Sequence, residues 1–185
     1  MTERFDLIVI GSGPAGEKAA AQAAYFGKRV ALIEKSSFVG GAAVGNAGVP
    51  TKTLREAASY LTGFRRRDVY GVAPDLAPSE IVEHLRARAI QVFGTMTNSV
   101  QANIEHHGIE LIHGFASIGP SHRVEVRAKD ASTRALDSTA VIIATGSHPR
   151  HSPDIPFNDE DVMDSEEVFA IQEPFVEAPT EPRTS

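Results

Sequence analysis

The segment FDLIVIGSGPAG, Phe5 to Gly16, runs from an apolar stretch straight into a glycine-rich hexapeptide. A continuous apolar run of this kind suits a strand buried on both faces of a parallel sheet. The glycines behind it turn that strand at once into a helix. Gly11 allows the tight turn, Gly13 lets the backbone approach a pyrophosphate, and Gly16 lets helix and strand pack closely. Pro14 suits a first helical turn, and an alanine-rich helix is predicted from Pro14 to Phe26 with Gly27 at its stop. RVALIE, Arg29 to Glu34, reads as a second strand, parallel to the first because the crossover is right-handed. Glu34 at its end offers a carboxylate to ribose hydroxyls, and the free N–H groups of the helix favour a diphosphate. The unit therefore reads as a dinucleotide site. Glu34 opposes a 2′-phosphate at this site, an argument that Lys35 beside it weakens. NAD and FAD share the adenosine diphosphate half, so these residues leave both open.

At 185 residues the chain has room for one nucleotide domain. A net charge of -6 disfavours nucleic acid as a partner. With no cysteine, disulfides, thiolate nucleophiles and sulfur metal sites are excluded, and any redox chemistry has to come from a bound cofactor. The apolar run near the N-terminus is too short for a signal sequence or a membrane span, which predicts a cytoplasmic protein with no membrane partner.

Further along, TLREAASYLTGF reads as a helix, and the prolines between Gly71 and Pro78 as a loop. Ser79 is a plausible N-cap for a long helix toward His107, with Gly94 and its neighbouring threonines as a place to bend. Strands are predicted at Ile109 to His113, His122 to Ala128 and Leu136 to Ala144, the last again fully apolar and ending near a glycine. The expected class is α/β: a Rossmann-like domain with a parallel sheet, a long helical segment and a small β-meander. It spans residues 1–170, and residues 171–185 read as a disordered tail rich in Pro and Glu.

The stretch GGAAVGNAGVPTK, Gly40 to Lys52, separates the two nucleotide readings. A flavin needs backbone close along its ribityl chain and ring, and a run of Gly and Ala offers it. Lys52 would then bring positive charge to the ring. The alternative is a surface loop ending in an ordinary exposed lysine.

Together GSGPAG, IEK, GG followed by VPTKTLREA, GFA at Gly114 to Ala116, and IIATG at Ile142 to Gly146 resemble the FAD-binding N-terminal part of the pyridine nucleotide-disulfide oxidoreductases. Within that family the chain is similar to the soluble, Si-specific pyridine nucleotide transhydrogenases, through TKTLREA, YLTG, DVYG and FNDEDVMDSEEVF, over about residues 4 to 170. The resemblance implies FAD as cofactor and NAD(P)(H) as substrate, with hydride passing between NADPH and NAD through FAD. It implies that Gly11, Gly13, Pro14, Ala15 and Gly16 hold the FAD diphosphate, and that Glu34, with Lys35 beside it, holds the adenosine ribose. Gly41 and Ala42 would approach the diphosphate and ribityl region, and Lys52 the ring near N5. Ala116 would lie near adenine, and Thr145 with Gly146 would pack on the cofactor. No catalytic side chain is assigned.

Two departures bear on this. Ala43 and Gly48 stand where the disulfide reductases carry their redox cysteines, so dithiol chemistry is excluded. Family members also continue into a second nucleotide domain and a dimerisation domain, whereas no second GxGxxG follows Val168 here. The expectation is a truncated chain with little transhydrogenase activity alone, working as a homodimer or with a partner supplying the missing domains. A non-catalytic nucleotide-binding module and an NAD-dependent Rossmann dehydrogenase are the alternatives.

Other candidates carry less. The arginines at 65–67 read as a solvated face, and Leu61 with Phe64 as core. His106 and His107 are adjacent and cannot share a helix face as metal ligands. His113, His148 and His151 read as isolated, and no metal site is expected.

Overall fold

The computed structural model describes residues 3–45, 48–65, 78–157, 162–164 and 166. Strand β1 (Glu3–Ile10) leads into helix α1 (Pro14–Tyr25), then β2 (Val30–Glu34), the short helix α2 (Gly41–Gly45), α3 (Val49–Arg65) and the long α4 (Pro78–His106). β3 (Glu110–His113), β4 (Phe115–Ile118), β5 (Arg123–Arg127) and β6 (Thr133–Ile143) complete one six-stranded sheet in the order β3-β2-β1-β6-β5-β4. The pairs β1·β2, β2·β3 and β1·β6 are parallel, whereas β4·β5 and β5·β6 are antiparallel. The chain is thus the expected α/β fold, with a parallel sheet that continues into a β-meander.

Side-chain alternation separates three layers. Leu7, Val9, Val30 and Leu32 pack against Ala20 and Ala21 of α1 and Ile104 of α4. Ile8, Ile10, Ala31, Ile33 and Ile112 pack on the other side against Val124, Val126 and Leu136 of the meander. β2 is buried throughout, as its apolar run requires. The end of the sheet away from the glycine turn is clamped by charge. Arg134 donates to both oxygens of Glu3, at 2.9 and 2.6 Å, and also to Glu110. Arg29 lies 3.8 Å from the same two carboxylates and covers the Phe5 ring. The hydrogen bond from Arg134 holds the Glu3 carboxyl below the usual carboxylate range. Replacing Arg134 by Met is expected to lower Tm by about 2 °C in dilute buffer. That difference should shrink as salt screens the cluster, which thermal melts at two ionic strengths would show.

Several sequence expectations need correction. The strip after Gly40 is not bare loop: Gly41–Gly45 forms α2, and α3 begins at Val49, so Lys52 lies in a helical first turn. α4 starts at Pro78, which puts Ser79 inside the helix and not at its cap, and it runs through Gly94 without a break. β4 was not legible, because FASI is a four-residue stretch with little apolar alternation. β6 begins at Thr133, but its apolar end is not buried: Ile142 is 38% and Ile143 66% exposed. The reason is topological. β5 pairs with β6 only over Thr133 to Asp137, so residues 138–143 have β1 on one side and no strand on the other among the described residues. The expected loop at residues 71–77, Arg66 with Arg67, and the tail at residues 171–185 lie outside the described residues.

Candidate functional site

A cleft of about 510 Å³ opens at the C-terminal ends of β2, β1 and β6, the place where ligands bind in open α/β sheets. Its floor is the β1–α1 turn. Gly11 has φ +102°, and a Cβ there would stand 2.3 Å from the Ala144 carbonyl oxygen. Its own carbonyl oxygen would be 1.8 Å from a Cβ on Gly16, so strand and helix touch only because both residues lack side chains. Gly13 caps α1 with no side-chain hydrogen bond, leaving the first-turn N–H groups to an anion. A Cβ on Gly41 would fall 2.8 Å from Gly13 Cα. A Cβ on Gly13 would meet nothing closer than Gly41 Cα at 4.0 Å and would stand in open cleft.

On one flank Glu34 is 7% exposed and its carboxylate is already engaged. Oε2 accepts from Ser12 N–H at 2.9 Å and from the Ser12 hydroxyl at 2.7 Å, and Oε1 accepts from Ser36 N–H at 2.8 Å. Burial pushes this carboxyl upward, but the hydrogen bonds from Ser12 and Ser36 outweigh it and hold it below the usual range, so it is ionised at neutral pH. Gly114 N–H donates to the Glu34 carbonyl, which brings Gly114, Phe115 and Ala116 to the same flank. On the other flank Ala144 N–H donates to the Ile10 carbonyl, and Thr145, Gly146, Ser147 and His148 line the cleft. Phe38, packed edge to face on Phe93 at 5.2 Å, lines it from the α2 side.

Of the residues singled out in the sequence, Gly11, Gly13, Pro14, Ala15, Glu34, Lys35, Gly41, Ala42, Ala116, Thr145 and Gly146 line one cleft. Gly16 does not line it and packs beneath the turn. Lys52 is exposed and lies apart from the lining. Ala43 and Gly48 adjoin each other: a Cβ on Gly48 would be 2.6 Å from the Ala43 carbonyl oxygen.

The histidines are not isolated. His148 lies 3.3 Å from Glu166, and both line the cleft. His151 contacts Asp164 at 2.8 Å and stacks on Phe157, and His113 Nδ1 is 2.9 Å from the Ser36 carbonyl. Sequence reasoning also passed over Ser12, Ser36, Phe38 and Phe115. Ser12 carried the one usable signal, a hydroxyl between two glycines that each have a stated purpose. Among the described residues no group of three or more His, Cys, Asp or Glu could hold a metal ion, and no helix is long and apolar enough to cross a membrane.

The family model described as pyridine nucleotide-disulphide oxidoreductase matches residues 5–178. The chain is 35% identical over 170 residues to a soluble pyridine nucleotide transhydrogenase of Mycobacterium tuberculosis, covering 91% of this chain and 36% of that protein. It is 36% identical over 167 residues to one of Photorhabdus laumondii, with 90% and 36% covered. The crystal structure of LpdA from Mycobacterium tuberculosis superposes with a TM-score of 0.74 at 26% identity, covering 92% of this chain and 38% of that one. The chain therefore spans about a third of the length of these relatives.

Proposed function

Because the chain belongs to the pyridine nucleotide-disulphide oxidoreductase family, a family of FAD-binding oxidoreductases, we propose that its cleft holds FAD and that it forms the flavin-binding part of a transhydrogenase-type enzyme. The observation that carries this reading is the pair of facing glycines, Gly13 and Gly41, where a Cβ on the first would project into the cleft and one on the second would strike backbone. That is the cradle a diphosphate needs, at a helix N-terminus with uncapped N–H groups. Gly11, Pro14, Ala15 and Gly16 shape it, and Glu34 takes the adenosine ribose with Lys35 beside it. Ala116 lies by the adenine, Gly41 and Ala42 follow the diphosphate toward the ribityl chain, and Thr145 with Gly146 pack on the cofactor. Lys52, exposed on α3, would have to reach the ring from the side of the cleft.

Bound FAD supplies a two-electron carrier between NADPH and NAD. The chain's residues anchor and orient it and, without any cysteine, offer no second redox centre. Titration with FAD followed by flavin fluorescence tests the binding. Saturable binding competed by ADP is expected, with FMN, which lacks the adenosine half, bound at least about tenfold more weakly. Equal affinity for FMN, or binding of NADH in place of FAD, would overturn the reading. Turnover of thionicotinamide NAD with NADPH, assayed on a chain of the relatives' length, tests the transhydrogenase assignment.

Among the described residues the outer edge of β6 at residues 138–143 is unpaired, with Ile142 and Ile143 exposed, and a second copy of this chain would pack on it. Size-exclusion chromatography of this chain is expected to show self-association that Ile143→Lys reduces to a monomer. A monomeric parent would contradict it.

A further inference from the structure

Glu34 is held from two sides that differ in access. Ser12 and Ser36 both line the cleft, but Ser12 is 0% exposed, and its hydroxyl can donate only one proton. That proton goes to Glu34 Oε2 at 2.7 Å, while the same oxygen of Ser12 accepts from Gly40 N–H at 3.2 Å. One hydroxyl thus ties the β1–α1 turn, the end of β2 and the glycines ahead of α2. A carboxylate has about four acceptor positions. The Ser12 N–H and hydroxyl fill both on Oε2, whereas Oε1 is held by Ser36 N–H, with the Ser36 hydroxyl as the further donor that a ligand hydroxyl would replace. The terminal torsion of a glutamate is soft, so with only the Ser12 N–H left on Oε2 the carboxylate is held less firmly in this orientation.

We propose that Ser12 is the positioning residue of the site: its hydroxyl fixes Glu34 Oε2 within the fold and leaves Oε1, at the rim beside Ser36, to meet a ribose hydroxyl. This rests on the nucleotide reading above. Ordering the acceptor before the ligand arrives removes part of the ordering cost of binding. The hydrogen bond from the Ser12 hydroxyl is also the largest of those that offset burial and hold the carboxyl below its usual range. The other titratable groups around it are Lys35, His113 opposite Glu34 on β3, and His148 with Glu166 on the rim.

Ser12→Ala, with Ser12→Gly as a second variant in case the first fails to fold, is tested by calorimetric titration with ADP and by carbon-13 NMR titration of the Glu34 carboxyl. The hydroxyl deletion should weaken ADP binding about tenfold near pH 8, and by more as pH falls, because a carboxyl that has lost this hydrogen bond titrates higher. In the Glu34→Gln background the same deletion should change affinity less than about twofold. The Glu34 carboxyl should titrate higher in the variant than in the parent. A loss of affinity that is equal in both backgrounds, or an unmoved Glu34 titration, would overturn the proposal. If the parent itself fails to bind ADP, the nucleotide reading falls, and the NMR titration still decides whether Ser12 sets the state of Glu34.

Discussion

Gly11→Ala is expected to cost about 3 kcal/mol or more of stability and to abolish FAD binding, although it adds a single methyl group. Two effects add. The backbone at φ +102° is one that an L-residue adopts only at a cost of about 1–3 kcal/mol. The new Cβ would also stand 2.3 Å from the Ala144 carbonyl oxygen. That atom belongs to backbone and cannot swing aside, so the end of β6 must move away from β1, breaking the hydrogen bond from Ala144 N–H to the Ile10 carbonyl. Overpacking of this kind costs about 1–3 kcal/mol. For a chain of this size the sum predicts a drop in Tm of about 10 °C. Gly13→Ala provides the contrast. Its Cβ meets only Gly41 Cα, at 4.0 Å, so Tm should stay within about 2 °C while FAD affinity falls at least about tenfold. If the two variants behaved alike in melts and in titration, the division between a glycine that shapes the turn and one that admits the ligand would be wrong.

Glu34→Gln is expected to have the second largest effect. An amide in place of the carboxylate can accept at one atom only, and its N–H₂ group faces donors on Ser12 or Ser36. Leaving such a buried donor without a partner costs about 1–3 kcal/mol. The pH dependence has a definite sign. The native carboxyl titrates below its unfolded value, so its contribution is present above about pH 4.3 and is lost as pH falls through the depressed native value. Denaturant melts should therefore show a stability gap between parent and variant that is full at neutral pH and narrows in acid. A gap that widened on acidification would contradict the assignment of Glu34 as an ionised, hydrogen-bonded anchor. FAD affinity should fall with it, since the ribose loses a charged acceptor.

Much of this site was legible because glycine spacing and strand-ending acids report backbone demands directly. FDLIVIGSGPAG specifies a strand, a tight turn and a helix, and the structure leaves no room for a Cβ at Gly11 or Gly16 while Gly13 faces the cleft. Glu34 was legible because β2 is a short, fully buried strand with one charged residue, and that residue is its last. The contacts that Ser12 makes were not, since a serine between glycines has no periodic pattern and its partners lie 22 and 28 residues away. The histidines failed for the same reason. His148 and Glu166 are 18 residues apart and meet only through the course of the chain after β6. The exposed end of β6 misled because a run such as AVII signals burial wherever it occurs. Sequence periodicity does not say how many neighbours a strand receives.

A crystal structure of this chain grown with saturating FAD tests the central claim most directly. The diphosphate is expected at the N-terminus of α1 between Gly13 and Gly41, with a ribose hydroxyl on Glu34 Oε1 and the flavin toward Ala43 and Thr145. Density for the diphosphate away from that helix end, or an empty cleft beside FAD bound elsewhere, would contradict it.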